Sequence, residues 1–179
     1  MTAVYNYANN KKTEEDTRSD FQKNCVSINE TQCKIGDTIY TKKTLEKTEV
    51  NQFAWGEELC IWTKEKGQTC PYTSEAQAGD LYFTEPVTYG DYKSYLDSAS
   101  SDCDYEWNKN NDYYNAAKRY CEDNGGRLPT VAELQAGGYN SGYFWASEQA
   151  ESDGAIALSY GNVDGNGKGT SNDVVCVGK

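Results

Sequence analysis

Residues 113–134, YYNAAKRYCEDNGGRLPTVAEL, carry the clearest structural signal in the chain. Tyr113, Ala116, Ala117, Tyr120 and Cys121 recur at i, i+3, i+4, i+7 and i+8, so they line one face of an amphipathic helix, with Lys118, Arg119 and Glu122 pointing away. Asn111 or Asp112 can cap its start, and Asn124-Gly125-Gly126 supplies the left-handed residues that end it. Thr130-Val131-Ala132-Glu133 is then a capping box, in which hydroxyl and carboxylate each take an orphan backbone N–H at a second helix start. Leu134 continues that helix, and Gly137-Gly138 stops it after about two turns.

On either side the pattern changes to strands. Tyr143 to Ser147 is short and aromatic, and Ala155 to Tyr160 alternates, with Ile156, Leu158 and Tyr160 on one face. Val174 to Val177 closes the chain as an apolar strand, and residues 161–173, rich in Gly, Asn and Asp, read as an exposed connection. Upstream, Cys25 to Ile28, Thr38 to Tyr40, Gln52 to Trp55, Leu59 to Trp62 and Leu81 to Thr84 are short strand signals punctuated by Gly36-Asp37, Gly56, Gly67 and Gly79-Asp80. Glu85 to Asp104 shows no period and reads as a polar connection. The organisation is a polar N-terminal segment at 1–24, a strand-rich part at 25–104 packed on the rest, and a core domain at 105–179.

The 179 residues suffice for one domain with a core. Seventeen Lys and Arg against 28 Asp and Glu give a net charge of -11, which opposes binding to nucleic acid phosphates and to anionic membrane surfaces. The chain has no histidine, so Ser-His-Asp and Cys-His centres and His-ligated metal sites cannot be built from it. Seven cysteines without a C-x-x-C pair read as the disulfide framework of an exported protein. Cys25 with Cys33 and Cys60 with Cys70 can each clip a loop, but spacing leaves other pairings open, including Cys103 with Cys60 or Cys70. Met1-Thr2-Ala3 followed by polar residues reads as an added start, with an export or anchoring segment expected ahead of it in the native protein. Lys11 to Asp20 offers no apolar face, which fits a solvated terminus or, alternatively, the stub of a pilin-like anchor helix.

Residues 114–134, followed by FWASE at 144–148, AIALSYGN at 155–162 and VVCV at 174–177, resemble the C-type-lectin-like fold. The similarity is to the bacterial branch containing the DUF1566 and Fibrobacter major paralogous domains, relatives of formylglycine-generating enzyme and of retroelement-diversified variable proteins. The resemblance implies an α+β domain with two helices, a twisted antiparallel sheet and neighbouring termini. It also implies a Cys121–Cys176 disulfide, closing a loop of about 55 residues worth ~4 kcal/mol in the chain-entropy model. Leu128 would be buried in the turn between the helices, with Arg127 held by an acidic or carbonyl partner. The motifs of the family's other activities are not matched. Glu85-Pro86 is followed by Val and lies before the helix, and Asn172-Asp173 lacks a preceding Trp, so calcium-dependent sugar binding is not implied. Near the end of the fold only Cys176 is present, where the formylglycine-generating enzymes need a cysteine pair.

Several residues remain as site candidates. Asp164-Gly165-Asn166-Gly167-Lys168 begins like a calcium loop, but Lys168 replaces an oxygen ligand and Val175 stands where the closing Glu belongs. No metal or other cofactor is therefore expected, and a calcium site from Asp164, Asn166 and Asp173 is the weaker alternative. The Tyr, Asn, Ser and Gly concentrated after residue 138 give large contact area with adaptable hydrogen bonding. Trp145 is expected in the core, Tyr160 either in the core or on the binding face, and Tyr139, Asn140, Tyr143, Glu148, Asp153, Asn162 and Asn166 are the candidates to face a ligand, against plain solvation. The leading expectation is a non-catalytic, surface-displayed bacterial adhesin-type domain binding a protein or glycan, without nucleic acid. The alternative is a minor pilin with filament or anchor partners. An enzyme would need a carboxylate pair such as Glu148 and Asp153 in one pocket.

Overall fold

The strand Gly154–Ser159 has almost no exposed surface: Ala155, Ile156, Ala157 and Leu158 are all fully buried. Neighbouring side chains on a strand point to opposite faces, so such a strand lies between two cores. Ile156 and Leu158 join a core with Phe144, Val131, Leu134, Leu81 and Phe83. Ala155 and Ala157 join another with Trp145, Tyr114, Ala117, Cys121 and Tyr40. Both cores draw on residues before and after position 105, so the strand-rich part and the C-terminal part pack as a unit.

The computed structural model describes residues 3–6, 11–14 and 16–179 and gives an α+β architecture of antiparallel sheets and two main helices. In chain order, β1 (Ala3–Asn6) pairs with β2 (Lys11–Glu14). Helix α1 (Asp20–Asn24) follows a Ser19 capping box and sends Phe21 into the second core. Next come β3 (Val26–Ser27), β4 (Gln32–Ile35), β5 (Thr38–Leu45), β6 (Thr48–Val50), β7 (Ile61–Thr63), β8 (Gly67–Thr69), β9 (Ser74–Ala76) and β10 (Gly79–Thr84). The short helices α2 (Tyr89–Tyr92) and α3 (Glu106–Asn110) precede α4 (Tyr113–Asp123) and α5 (Val131–Ala136). The chain ends with β11 (Tyr143–Glu151), β12 (Gly154–Ser159), β13 (Asn162–Gly167) and β14 (Val177–Gly178). A five-stranded sheet has the order β14-β10-β5-β4-β3, a three-stranded sheet the order β11-β12-β13, and β6-β9 and β7-β8 form two-stranded ladders.

Both main helices form where the pattern places them. Asp112 caps α4 by accepting from Asn115 N (2.8 Å), and Tyr114, Ala116, Ala117 and Cys121 are buried against the sheet. Tyr114 widens the expected stripe because Trp145 meets its ring edge at 5.8 Å. The Thr130–Glu133 capping box starts α5, and Glu133 also holds Arg127 through two hydrogen bonds of 2.7 and 2.9 Å. Leu128 between them is buried.

Elsewhere the structure corrects the sequence reading. Residues 162–167 are a strand, not an exposed connection, because backbone pairing with β12 needs no apolar side chains. Tyr143 to Ser147 extends to Glu151 past a register shift between Trp145 and Gln149. Residues 85–104 contain α2 and two 3₁₀ turns, and residues 52–55 make a bridge and a turn instead of a strand. Residues 174–177 are buried, but only Val177 joins the terminal ladder; Val174 makes a single bridge to Val87. Of residues 1–20, where a solvated terminus or an anchor-helix stub is expected, 3–6 and 11–14 are paired strands, and 1–2, 7–10 and 15 lie outside the described residues. Ser19 meets the last residue, its hydroxyl donating to Lys179 O (2.6 Å), and Gly178 lies so close to the Phe21 ring that any Cβ there would collide with it.

Three disulfides tie these pieces together: Cys25–Cys33, Cys60–Cys70 and Cys121–Cys176. Cys103 is unpaired and buried beside Asp112 Oδ2 (3.5 Å), and burial pushes its thiol up to about 12. Three disulfides point to an oxidising, extracellular or periplasmic environment. No helix among the described residues is long and apolar enough to cross a membrane. Because loop closure grows with length, replacing Cys121 and Cys176 (separation 55) with Ala is expected to cost about 4 kcal/mol. The same change at Cys25 and Cys33 (separation 8) should cost about 2.5 kcal/mol. Denaturant midpoints of the two variants check that order.

Candidate functional site

The hairpin joining β12 to β13 has Ser159 opposite Asn162, leaving Tyr160 and Gly161 as a two-residue loop. Their φ angles of 46° and 82° are those of a type I′ turn, which favours Asn or Gly at its first position. Tyr160 is the one non-glycine residue with positive φ among the described residues. A side chain in that region costs roughly 1–2 kcal/mol. The ring gains little burial in return, because Tyr160 stays 60% exposed. The turn is held by Tyr160 N donating to Gly142 O (2.8 Å), and the ring meets that of Tyr143, 49% exposed, edge-on at 5.1 Å.

Asn140 and Asn162 complete this tip. Asn140 Oδ1 would lie 3.3 Å from a Cβ at Gly161, and Asn162 is exposed at the first position of β13. On one side, a polar depression of about 300 Å³ is lined by Asn51, Gln52, Gln135, Gly161 and Asn162. On the other, the Asp173 carboxylate lies 3.9 Å from a Cβ at Gly142, and desolvation raises its pKa.

Of the residues expected to face a ligand, Asn140, Tyr143 and Asn162 gather at the tip. Asn166 lies four residues further along β13, ~14 Å away. Three others serve the fold. Tyr139 is half-buried between Phe83 (5.5 Å) and Phe144 (5.2 Å), with Lys43 Nζ 4.2 Å above its ring. Glu148 is 8% exposed, accepts from Val131 N (2.9 Å) at the start of α5, and accepts from the Ser74 hydroxyl, which itself takes Ala132 N (3.2 Å). Asp153 accepts from the backbone N–H groups of Asp104 (3.2 Å) and Tyr105 (3.0 Å) and from Asn108 Nδ2 (3.3 Å), which fixes the start of α3. Desolvation works to raise the Asp153 pKa, but these hydrogen bonds outweigh it and the net shift is downward. Glu148 and Asp153 thus belong to separate hydrogen-bond networks and are not a shared carboxylate pair.

No known family profile matches the chain, and no curated protein or solved structure is significantly similar to it. Among the described residues, the one cluster of three groups with metal-ligand chemistry is Glu58, Cys60 and Cys70, whose two sulfurs are bonded to each other. Asp164 uses one carboxylate oxygen to accept from Gly165 N (2.8 Å). The alternation of β12 ends at Ser159, so Tyr160 lies in the turn instead of continuing the buried face of Ile156 and Leu158, and Gly161 is the local turn signal. Phe53 and Trp55, within a segment that carries a strand signal, lie in a loop fastened to β13 by Ala54 N donating to Val163 O (2.9 Å).

Burial of Glu148 generates a pH prediction. Desolvation raises its pKa above the ordinary glutamate value of 4.5, against the opposing hydrogen bonds from Ser74 and Val131. Above that value the unfolded chain releases the proton before the folded chain does, so the folded state binds more protons and loses stability as pH rises. Glu148→Gln abolishes this contribution. Urea midpoints from about pH 4 to about pH 8 should show the glutamine variant gaining on the native protein as pH rises.

Proposed function

We propose that this chain is a non-catalytic extracellular recognition domain of C-type-lectin-like topology, displayed by a bacterial cell, that binds a protein or glycan through the tip around Tyr143 and Tyr160. The observation that carries this reading is Tyr160, an exposed aromatic ring in a strained backbone position where Asn or Gly would be easier. Strain retained without compensating burial is characteristic of sites kept for function. The topology is supported by two helices in the expected order, by the Cys121–Cys176 bond between the longer helix and the end of the chain, and by the meeting of Ser19 with Lys179. A histidine-free sequence, with Glu148 and Asp153 occupied in holding helices, favours recognition over catalysis. Three disulfides support an exported location.

Tyr143 and Tyr160 supply rigid contact area, and Asn140 and Asn162 supply hydrogen bonds that adapt to a partner. The test uses labelled protein on arrays of purified extracellular proteins and of glycans. The triple variant Tyr143→Ala, Tyr160→Asn, Asn162→Ala should lose at least about tenfold in affinity for whatever the native protein captures. The single change Tyr160→Asn should leave the denaturation midpoint no lower than native, since relief of about 1 kcal/mol of backbone strain offsets the lost ring contact. Capture that survives the triple change places the binding face elsewhere.

A further inference from the structure

Four residues beyond the tip, the same edge of the sheet carries a second feature. Phe53 and Trp55 stack face to face, centroids 4.5 Å apart and planes 5° from parallel, and Trp55 is 55% exposed. They flank a hollow of about 250 Å³ whose other walls are Ala150, Glu151, Gly154, Gly165, Asn166 and Gly167. Val163, Gly165 and Gly167 occupy alternate positions of β13 and so share a face. Val163 is packed in the core, whereas the two glycines beyond it place no side chain there. A Cβ at Gly165 would touch only Phe53, at 3.8 Å. The hollow is thus opened beside the aromatic stack by the absent side chain of Gly165, while a Cβ at Gly167 would meet Asn108 Oδ1 (3.8 Å) and Asp153 O (3.9 Å); the edge-strand backbone and the exposed Glu151 are at hand.

We infer that this hollow binds one pyranose ring of a neutral glycan. A pyranose presents an apolar face of C–H groups, weakly positive, that complements the negative face of an aromatic ring. Its hydroxyls need directional acceptors and donors around that face, which a carboxylate and bare glycine backbone provide. The hollow lies below the range of about 300 Å³ upward that encloses drug-sized ligands, which suits a single ring. The net charge of -11, with Glu151 at the rim, opposes sialylated or uronic-acid sugars and selects neutral ones. Nothing in the arrangement involves a metal ion. The inference rests on the recognition reading and narrows its ligand class to a glycan. The ~14 Å from Asn166 to Asn162 lets an oligosaccharide seated in the hollow extend toward Tyr160.

The test is NMR titration of the disulfide-bonded protein with neutral mono- and oligosaccharides (glucose, mannose, galactose and N-acetylglucosamine types), with and without chelator. The Trp55 indole and the Gly165 and Gly167 amides should shift and saturate, unaffected by chelator. Trp55→Ala and Gly165→Leu, one removing the ring and the other filling the hollow, should each weaken binding by about tenfold, the effect of losing one stacking contact. The inference is overturned if no neutral sugar moves these resonances at millimolar concentration, if the shifts persist in both variants, or if only anionic sugars bind. A protein ligand captured through the tip while the hollow stays silent overturns the glycan assignment and leaves the recognition reading standing. Sugar binding in the hollow that the tip variant does not weaken supports the assignment and removes the tip from the site.

Discussion

Burial of β12 on both faces is the constraint to which the rest of the structure answers. An antiparallel sheet of three strands can remain half-wetted, yet here Ile156 and Leu158 face one core and Ala155 and Ala157 the other. The alanines are as important as the larger residues: they leave room for Trp145 and for the Tyr114 ring of α4 on their side. The opposite side is closed by α5 and the strands before it, with Val131, Leu134, Leu81 and Phe83 in one cluster. Each helix then needs its N-terminus satisfied inside the molecule, since four backbone N–H groups begin any helix without partners. Glu148 and Ser74 do this for α5, and Asp112 for α4.

The same requirement explains a lysine that is only 2% exposed. Lys168 follows β13 directly, its N–H donating to Asp153 O and its carbonyl accepting from Tyr113 N, both at 2.8 Å. Its ammonium donates to Gln149 Oε1 (2.6 Å) and lies 5.3 Å from the Tyr114 ring and 5.7 Å from Trp62. A buried cation needs such partners to offset lost hydration. Lys168 therefore connects β11, β13 and the start of α4, and it lies next to the Asp112, Ser101 and Cys103 group. The edge strand that carries the candidate site is fixed at both ends, by Lys168 at one and by the Tyr160 turn at the other.

Legibility in the sequence followed the strength of local physics. The helix spacing from Tyr113 to Cys121, the Thr130–Glu133 capping box and the glycines after each helix are short-range signals, and both helices form where these lie. Strand β13 was hidden because Asn162 to Gly167 lacks β-forming side chains; it exists through backbone pairing to a β12 held by the cores. Glu148 and Asp153 look like surface acids in the sequence, and only tertiary contacts reveal that helix starts and loop N–H groups consume them. For Tyr160, two-residue alternation alone would place the ring beside Ile156 and Leu158, but the hairpin turn interrupts the period one residue earlier. Composition alone singles out Asn140, Tyr143 and Asn162 as candidates, and the fold brings them together at the tip, whereas Trp55 and Phe53 reach β13 from more than 100 residues away in the chain and no local pattern links them.

That long-range link bears on how a binding face can be rigid without being apolar. The loop carrying Phe53 and Trp55 is anchored to β13 by one backbone hydrogen bond at Val163, the single core residue of that strand. Tyr160, on the other side of Val163, is anchored by its own backbone bond to Gly142. Exposed aromatic surface is thus suspended from fixed backbone at both ends, with asparagines and glycines between. Ordering a loop upon binding costs about 1–2 kcal/mol for each residue immobilised, so a face already ordered by the fold retains more of its contact energy for the ligand. The strain at Tyr160 and the hollow left beside Gly165 are costs met in folding. Under the proposed recognition role, both would favour a ligand that finds the site already formed at this sheet edge.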